Sequence, residues 1–144
     1  MTDRKATSVW EGDLKSGQGR TRFDSSGALP EVDVSWPART EEPGGKTSPE
    51  ELIAAAHASC YNMALSGALA KAGHTAERLE TSAVVTFSLD GGAHISKVAL
   101  SVRGSVPGIS EDDFRSAADG AKDGCPVSKA LAGNVDISLD AQLA

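Results

Sequence analysis

The sequence predicts an α+β fold in which a mostly antiparallel sheet packs on one long buried helix. Three observations predict it. Short strand-like runs broken by turn residues fill positions 5 to 36; a capped run holds no charge from Ile53 to Ala70; two long alternating segments follow that run. With 144 residues, 40% hydrophobic and 24% charged, the chain is expected to form a single domain over 1–144 with a modest core.

The first strands are read in "KATSVWEGDL", "GRTRFDSS" and "EVDVSW", with turns at Ser16-Gly17 and Ser26-Gly27. "PARTEEPGGKT" (37–47) is polar and rich in Pro and Gly, which predicts a loop. Ser48 is a good N-cap, Pro49 suits the first helical position, and Glu51 completes a capping box. The helix should run to about Ala72 and stop at Gly73. "ERLETSAVVTFSLD", Gly91-Gly92 and "AHISKVALSVRGSV" predict a long antiparallel hairpin, although the alternation through Ile95, Val98, Leu100 and Val102 is only partly kept. Ser110 caps a second helix, "EDDFRSAADGAK"; a third starts at Pro126, and "VDISLDAQL" forms a last strand.

The long helix sets the next expectation. A helix apolar on every face should be buried all round, yet one copy of this chain has little sheet to surround about 36 Å of helix at ~1.5 Å per residue. Its Ala, Ser and Gly positions would let a second helix approach closely, so a homodimer pairing two such helices is expected. Few residues of the charge-free run are strongly lipophilic, which argues against a membrane span. A net charge of −6 and a pI near 5.0 argue against nucleic acid or an anionic membrane as partner. "MTDRKATSVWEG" lacks an apolar h-region, so a cytoplasmic location is expected, where thiols stay reduced.

The chain has two cysteines, Cys60 and Cys125. Cys60 lies inside the charge-free helix, where burial alone would raise its pKa and leave it inert. Cys125, just before Pro126, sits about at a helix N-cap, where unpaired N–H groups stabilise a thiolate. Read alone, Cys125 is the more activated. His57 lies one turn before Cys60, and H-x-x-C with Cys125 could make part of a metal site; zinc would then lack a clustered fourth ligand, and a buried histidine with a satisfied ring nitrogen is the plainer reading. His74 and His94 flank turns and are expected to be exposed. Glu50 is in the first turn, about 15 Å along the axis from Cys60. Glu50 and Cys60 of one helix therefore cannot share a compact site, whereas an antiparallel pair of helices would bring Glu50 of one subunit near Cys60 of the other. Arg39, in the loop before the helix, could reach a thiolate with its fork of donors.

"TSPEELIAAAHASCYNMALS" and "AKDGCPVSKAL" resemble the two cysteine motifs of the OsmC/Ohr family, the osmotically inducible and organic hydroperoxide resistance proteins. "WEGDLKSGQG" and the cysteine spacing agree, so the resemblance covers essentially the whole chain. "AAHASC" with "CPVSK" is closer to the OsmC branch. The resemblance implies an intertwined homodimer, two long central helices enclosed by sheets, and cofactor-free, metal-free peroxidase activity. It makes Cys60 the peroxidatic cysteine, Cys125 its disulfide partner, Arg39 the group that stabilises the Cys60 thiolate, and Glu50 the orienter of Arg39. Ohr-like members take the arginine from an earlier position, which keeps Arg20 and Arg22 open. Ser48 stands where the family often has Asn; both are good caps. Organic hydroperoxides are the implied substrates, hydrogen peroxide a poorer one. The implied reductant is a dithiol of the dihydrolipoyl kind on a lipoylated protein. The rival is a non-enzymatic dimer that binds an apolar ligand or senses oxidation through the same cysteine pair.

Overall fold

The computed structural model describes residues 1–144. The chain divides into two compact units, Met1–Leu52 and Ile53–Ala144.

In the first unit, β1 (Thr7–Glu11), β2 (Gln18–Arg22) and β3 (Val32–Val34) form an antiparallel sheet in chain order. Gly19 is the close-approach position: an added Cβ would lie 2.9 Å from both the Trp10 ring and a Val34 methyl. The stretch expected as a loop instead opens with a short helix, α1 (Trp36–Thr40). Ser35 caps it by accepting the Ala38 N–H at 3.2 Å, and Pro37 fits the first turn, where no donor is needed. Thr47 then bridges back, its N–H donating to the Asp33 carbonyl at 2.9 Å.

The long helix α2 spans Pro49–Lys71. The Ser48 hydroxyl accepts the Glu51 N–H at 3.2 Å, but the Glu51 carboxylate accepts from the Thr47 hydroxyl at 2.6 Å, so the expected capping box is only half formed. Gly73, at φ 87°, ends the helix, and the His74 N–H returns to the Leu69 carbonyl at 2.9 Å. The helix is not buried all round in the single chain. His57, Tyr61, Leu65 and Leu69 form one buried face at helical spacing, while Ala55, Ser59, Met63, Ser66, Gly67 and Ala70 are exposed.

In the second unit, β4 (Arg78–Ser88) pairs antiparallel with β5 (His94–Ser105), and β5 pairs parallel with β6 (Asp136–Leu143). Three of the four strand pairings in the chain are thus antiparallel. A register shift sets Phe87 opposite Ile95 and Thr86 opposite Lys97, leaving Ser96 as the extra residue of a bulge. That extra residue explains the broken alternation: beyond it Val98, Leu100 and Val102 face inward. α3 (Glu111–Gly124) buries Phe114, Ala118 and Ala121 in the same core as Tyr61, Leu65 and Leu69. Gly104 admits the Phe114 ring, since a Cβ there would fall 2.6 Å from it. Cys125 ends α3 and starts α4 (Pro126–Leu131), because Pro126 cannot continue the first helix but opens the second. No helix is long and apolar enough to cross a membrane.

Candidate functional site

Helix α2 carries Cys60, and the α3–α4 junction carries Cys125. Their sulfurs lie 2.9 Å apart, both are free thiols, and Cys125 is fully buried. Tyr61 braces the junction: its hydroxyl donates to the Ala118 carbonyl at 3.0 Å, tying α2 to α3 beside the cysteines. Thr81 does the same on the sheet side, donating to Asn62 Oδ1 at 2.6 Å.

The two thiols differ in charge preference. Burial pushes the Cys60 thiol up, its hydrogen bond to Cys125 adds to this, and the Val127 N–H opposes it only in part. Burial also pushes Cys125 up, but the Cys60 thiol, the N–H and hydroxyl of Ser128, and the Val127 N–H outweigh it and hold Cys125 below the ordinary thiol value. Of the two thiols, Cys125 is therefore the more readily ionised. Expecting Cys125 to be the more activated thiol agrees with this environment.

His57 is fully buried, its Nε2 lies 2.7 Å from Ser128 Oγ, and its Nδ1 has no partner. Burial pulls its pKa down, which keeps the ring neutral. One ring nitrogen is satisfied, as a buried structural histidine requires. No group of three or more His, Cys, Asp and Glu side chains is placed to hold a metal ion, so His57, Cys60 and Cys125 do not form the metal site considered above. Ser128 carried no flag in the sequence; its signal was its place three residues after a helix-starting cysteine. His94 is exposed, whereas His74 is half-buried.

In the first unit, Arg39 and Glu50 meet. Arg39 Nε donates to Glu50 Oε1 and Oε2 at 3.0 and 3.2 Å, and Nη2 donates to Oε1 at 2.8 Å. The Glu50 side chain is 8% exposed and that of Arg39 29%. This is the forked geometry that only arginine provides. Arg39 belongs to the last turn of α1 rather than to a loop. It also lines a cavity of about 360 Å³ whose other walls include Trp10, Leu14, Trp36 and Pro49. Arg20 and Arg22 are exposed, and Arg22 Nε donates to Asp24 at 2.7 Å.

Similar proteins carry the same frame. Residues 42–140 match the OsmC family, described as OsmC-like protein. The chain is 43% identical over 141 residues to peroxiredoxin OsmC of Escherichia coli (strain K12), covering 97% of this chain and 96% of that one. It is 30% identical over 118 residues to organic hydroperoxide resistance protein OhrA of Bacillus subtilis (strain 168), 81% of this chain and 83% of that one. The crystal structure of the organic hydroperoxide resistance protein OhrB of Bacillus subtilis has a TM-score of 0.74 to it at 27% identity, covering 95% of this chain and 97% of that one. With a family match over residues 42–140 and a 43%-identical relative along nearly its whole length, the chain belongs to the OsmC family.

Proposed function

We propose that the chain is a cofactor-free, thiol-dependent peroxidase that reduces organic hydroperoxides, and hydrogen peroxide less well, in the cytoplasm. The observation that carries this reading is the 2.9 Å approach of the half-buried Cys60 to the fully buried Cys125. The names borne by its relatives, peroxiredoxin and organic hydroperoxide resistance protein, support the substrate class.

The Cys60 thiolate attacks the terminal peroxide oxygen. The O–O bond breaks, Cys60 becomes a sulfenic acid, and the alkoxide takes a proton to leave as the alcohol. The Cys125 thiolate then attacks the Cys60 sulfur. The S–O bond breaks, the S–S bond forms, and the departing hydroxide takes a proton from solvent. An external dithiol, of the kind carried on a lipoylated protein, exchanges with the disulfide and is itself left oxidised.

The first step needs a cation, because burial keeps the proton on Cys60. We assign that role to Arg39, oriented by Glu50, in a homodimer whose paired α2 helices bring the partner subunit's Arg39 to Cys60. The exposed but uncharged face of α2 supports the dimer. The apolar cavity beside Arg39 supports an alkyl hydroperoxide over a water-like one. The whole chain, 1–144, then serves as one functional domain.

Consumption of cumene hydroperoxide with excess dithiothreitol tests the proposal. Sustained turnover that is lost in Cys60→Ser is expected. Oxidation of a single equivalent without cycling would instead mark a redox sensor, and full activity in Cys60→Ser would overturn the peroxidase reading.

A further inference from the structure

Helix α4 spans only Pro126–Leu131, too short to hold its own place, so whatever pins it also decides where Cys125 is held. Its one buried residue is a serine, Ser128, at 3% exposure. Val127 and Leu131 pack on the core but are only half-buried. The group that meets Ser128 is His57 of α2, itself fully buried, with Nε2 2.7 Å from Oγ. The chemistry above uses neither residue.

Their places in the chain give the pair its meaning. His57 lies three residues before Cys60 in α2, and Ser128 three residues after Cys125 in α4, close to one helical turn in each case. The Lys129 N–H donates to the Cys125 carbonyl at 3.0 Å and closes the turn between Cys125 and Ser128, so these two residues move together. On the other side of Cys60, Tyr61 donates to the Ala118 carbonyl of α3 at 3.0 Å. The 2.9 Å contact between the sulfurs is thus bracketed by two buried hydrogen bonds from α2, one to α3 and one to α4.

A polar pair is a poor choice for cohesion alone. Two apolar side chains of similar shape would hold α4 to α2 about as firmly, whereas a buried hydrogen bond fixes distance and direction. No protein group partners Nδ1, so the histidine is carried at a cost in stability. What the pair supplies is a single seat for α4 on α2.

We propose that His57 is a positioning residue for the disulfide step: by holding Ser128 it seats α4 so that the Cys125 sulfur stays against the Cys60 sulfur. Closing the bond to about 2.05 Å then needs a shift of roughly 1 Å and no movement of helices. Without the clamp α4 takes several seats, and the effective concentration of one thiol at the other falls. On the peroxidase reading, the seat lets the Cys125 sulfur displace hydroxide from the Cys60 sulfenic acid before a second hydroperoxide can transfer an oxygen to it, giving sulfinic acid and a second alcohol. Only that consequence rests on the peroxidase reading.

The thiol–disulfide equilibrium of Cys60 and Cys125 against dithiothreitol, at fixed pH and read by alkylation of free thiols, tests the role without any hydroperoxide. Stability lost equally from both redox forms cancels in this constant, so a purely structural role leaves it unmoved. His57→Met should shift it about tenfold toward the dithiol, the scale of one buried hydrogen bond. Ser128→Ala should do nearly the same, and the double variant should lose no more than either, because all three remove one contact. His57→Gln, whose amide can pair with the same hydroxyl, should recover most of the loss. A constant that is unchanged in His57→Met, or moved toward the disulfide, overturns the proposal; so do additive losses in the double variant, or a Gln variant no better than Met. If His57→Met does not fold, Ser128→Ala, which removes a single oxygen, decides on the same outcomes. Absence of hydroperoxide turnover in the unsubstituted protein, with the dithiothreitol equilibrium shifting as stated, would sink the peroxidase reading and leave the positioning role standing.

Discussion

Arg39 holds Glu50 through two guanidinium nitrogens, at 2.8 and 3.0 Å to the same carboxylate oxygen. The pair is local to the first unit, joining the last turn of α1 to the first turn of α2. A short capped helix and a long capped helix thus aim a fork and a carboxylate at each other, and the fork is held at the edge of an apolar cavity.

That arrangement predicts unequal effects of similar substitutions. Arg39→Lys keeps the charge but loses the fork, and peroxidase kcat/KM should fall roughly tenfold to a hundredfold. Glu50→Gln keeps the shape and leaves the guanidinium less firmly aimed, with a smaller fall. Arg39→Ala leaves a nearly buried carboxylate unpaired and should also cost about 1–3 kcal/mol of stability in urea unfolding. Parental kcat/KM in Arg39→Lys would remove Arg39 from the reaction.

The order of the cysteines has its own signature. Cys125→Ser should still consume one equivalent of hydroperoxide, since Cys60 can be oxidised without a partner, but the product should be a sulfenic acid trappable by dimedone. Multiple turnover with a dithiol should slow by about tenfold or more, the leaving group of the exchange step being lost. Loss of the first equivalent as well would mean that Cys125, not Cys60, meets the peroxide.

These roles were unequally legible in the sequence. The α2 boundaries follow from Ser48, Pro49 and Gly73, because caps act within a few residues of the helix they bound. The bulge at Ser96 is visible as the lost alternation between Ile95 and Val98. Helix α1 was hidden by the Pro and Gly residues that follow it, although Ser35 was there as its cap. The parallel pairing of β6 with β5 is a matter of chain direction, which side-chain alternation does not encode. Arg39 and Glu50 came from resemblance, not from spacing, and the contact between His57 and Ser128 spans too much chain for any local pattern.

His57 makes a prediction about stability. Burial holds its folded pKa below the ordinary 6.5. As pH falls through about 6.5 the unfolded chain takes up the proton first, so stability present above that pH is lost below it. For one proton the slope cannot exceed about 1.4 kcal/mol per pH unit. Urea unfolding near pH 5 and near pH 8 should show a loss at the acid end that shrinks in His57→Gln. An identical pH dependence in the variant would mean that the ring reaches a proton acceptor in the folded state.

The uncovered face of α2 makes the last prediction. Ala55, Ser59, Met63, Gly67 and Ala70 lie along one side of the helix, uncharged and exposed, with Met63 at 74%. An uncharged stripe of this length is poorly suited to water and well suited to a second copy, because small side chains let helix axes come close. Sedimentation at micromolar concentration should give about twice the 14.8 kDa chain mass. Met63→Glu would bury a carboxylate against its own symmetry mate and should weaken association by roughly a hundredfold or more. Peroxidase activity should fall with the dimer and recover at high protein concentration, as the proposed supply of Arg39 to Cys60 by the partner subunit requires. A 14.8 kDa species for the unsubstituted protein would remove both the dimer and the route by which Arg39 reaches the peroxide.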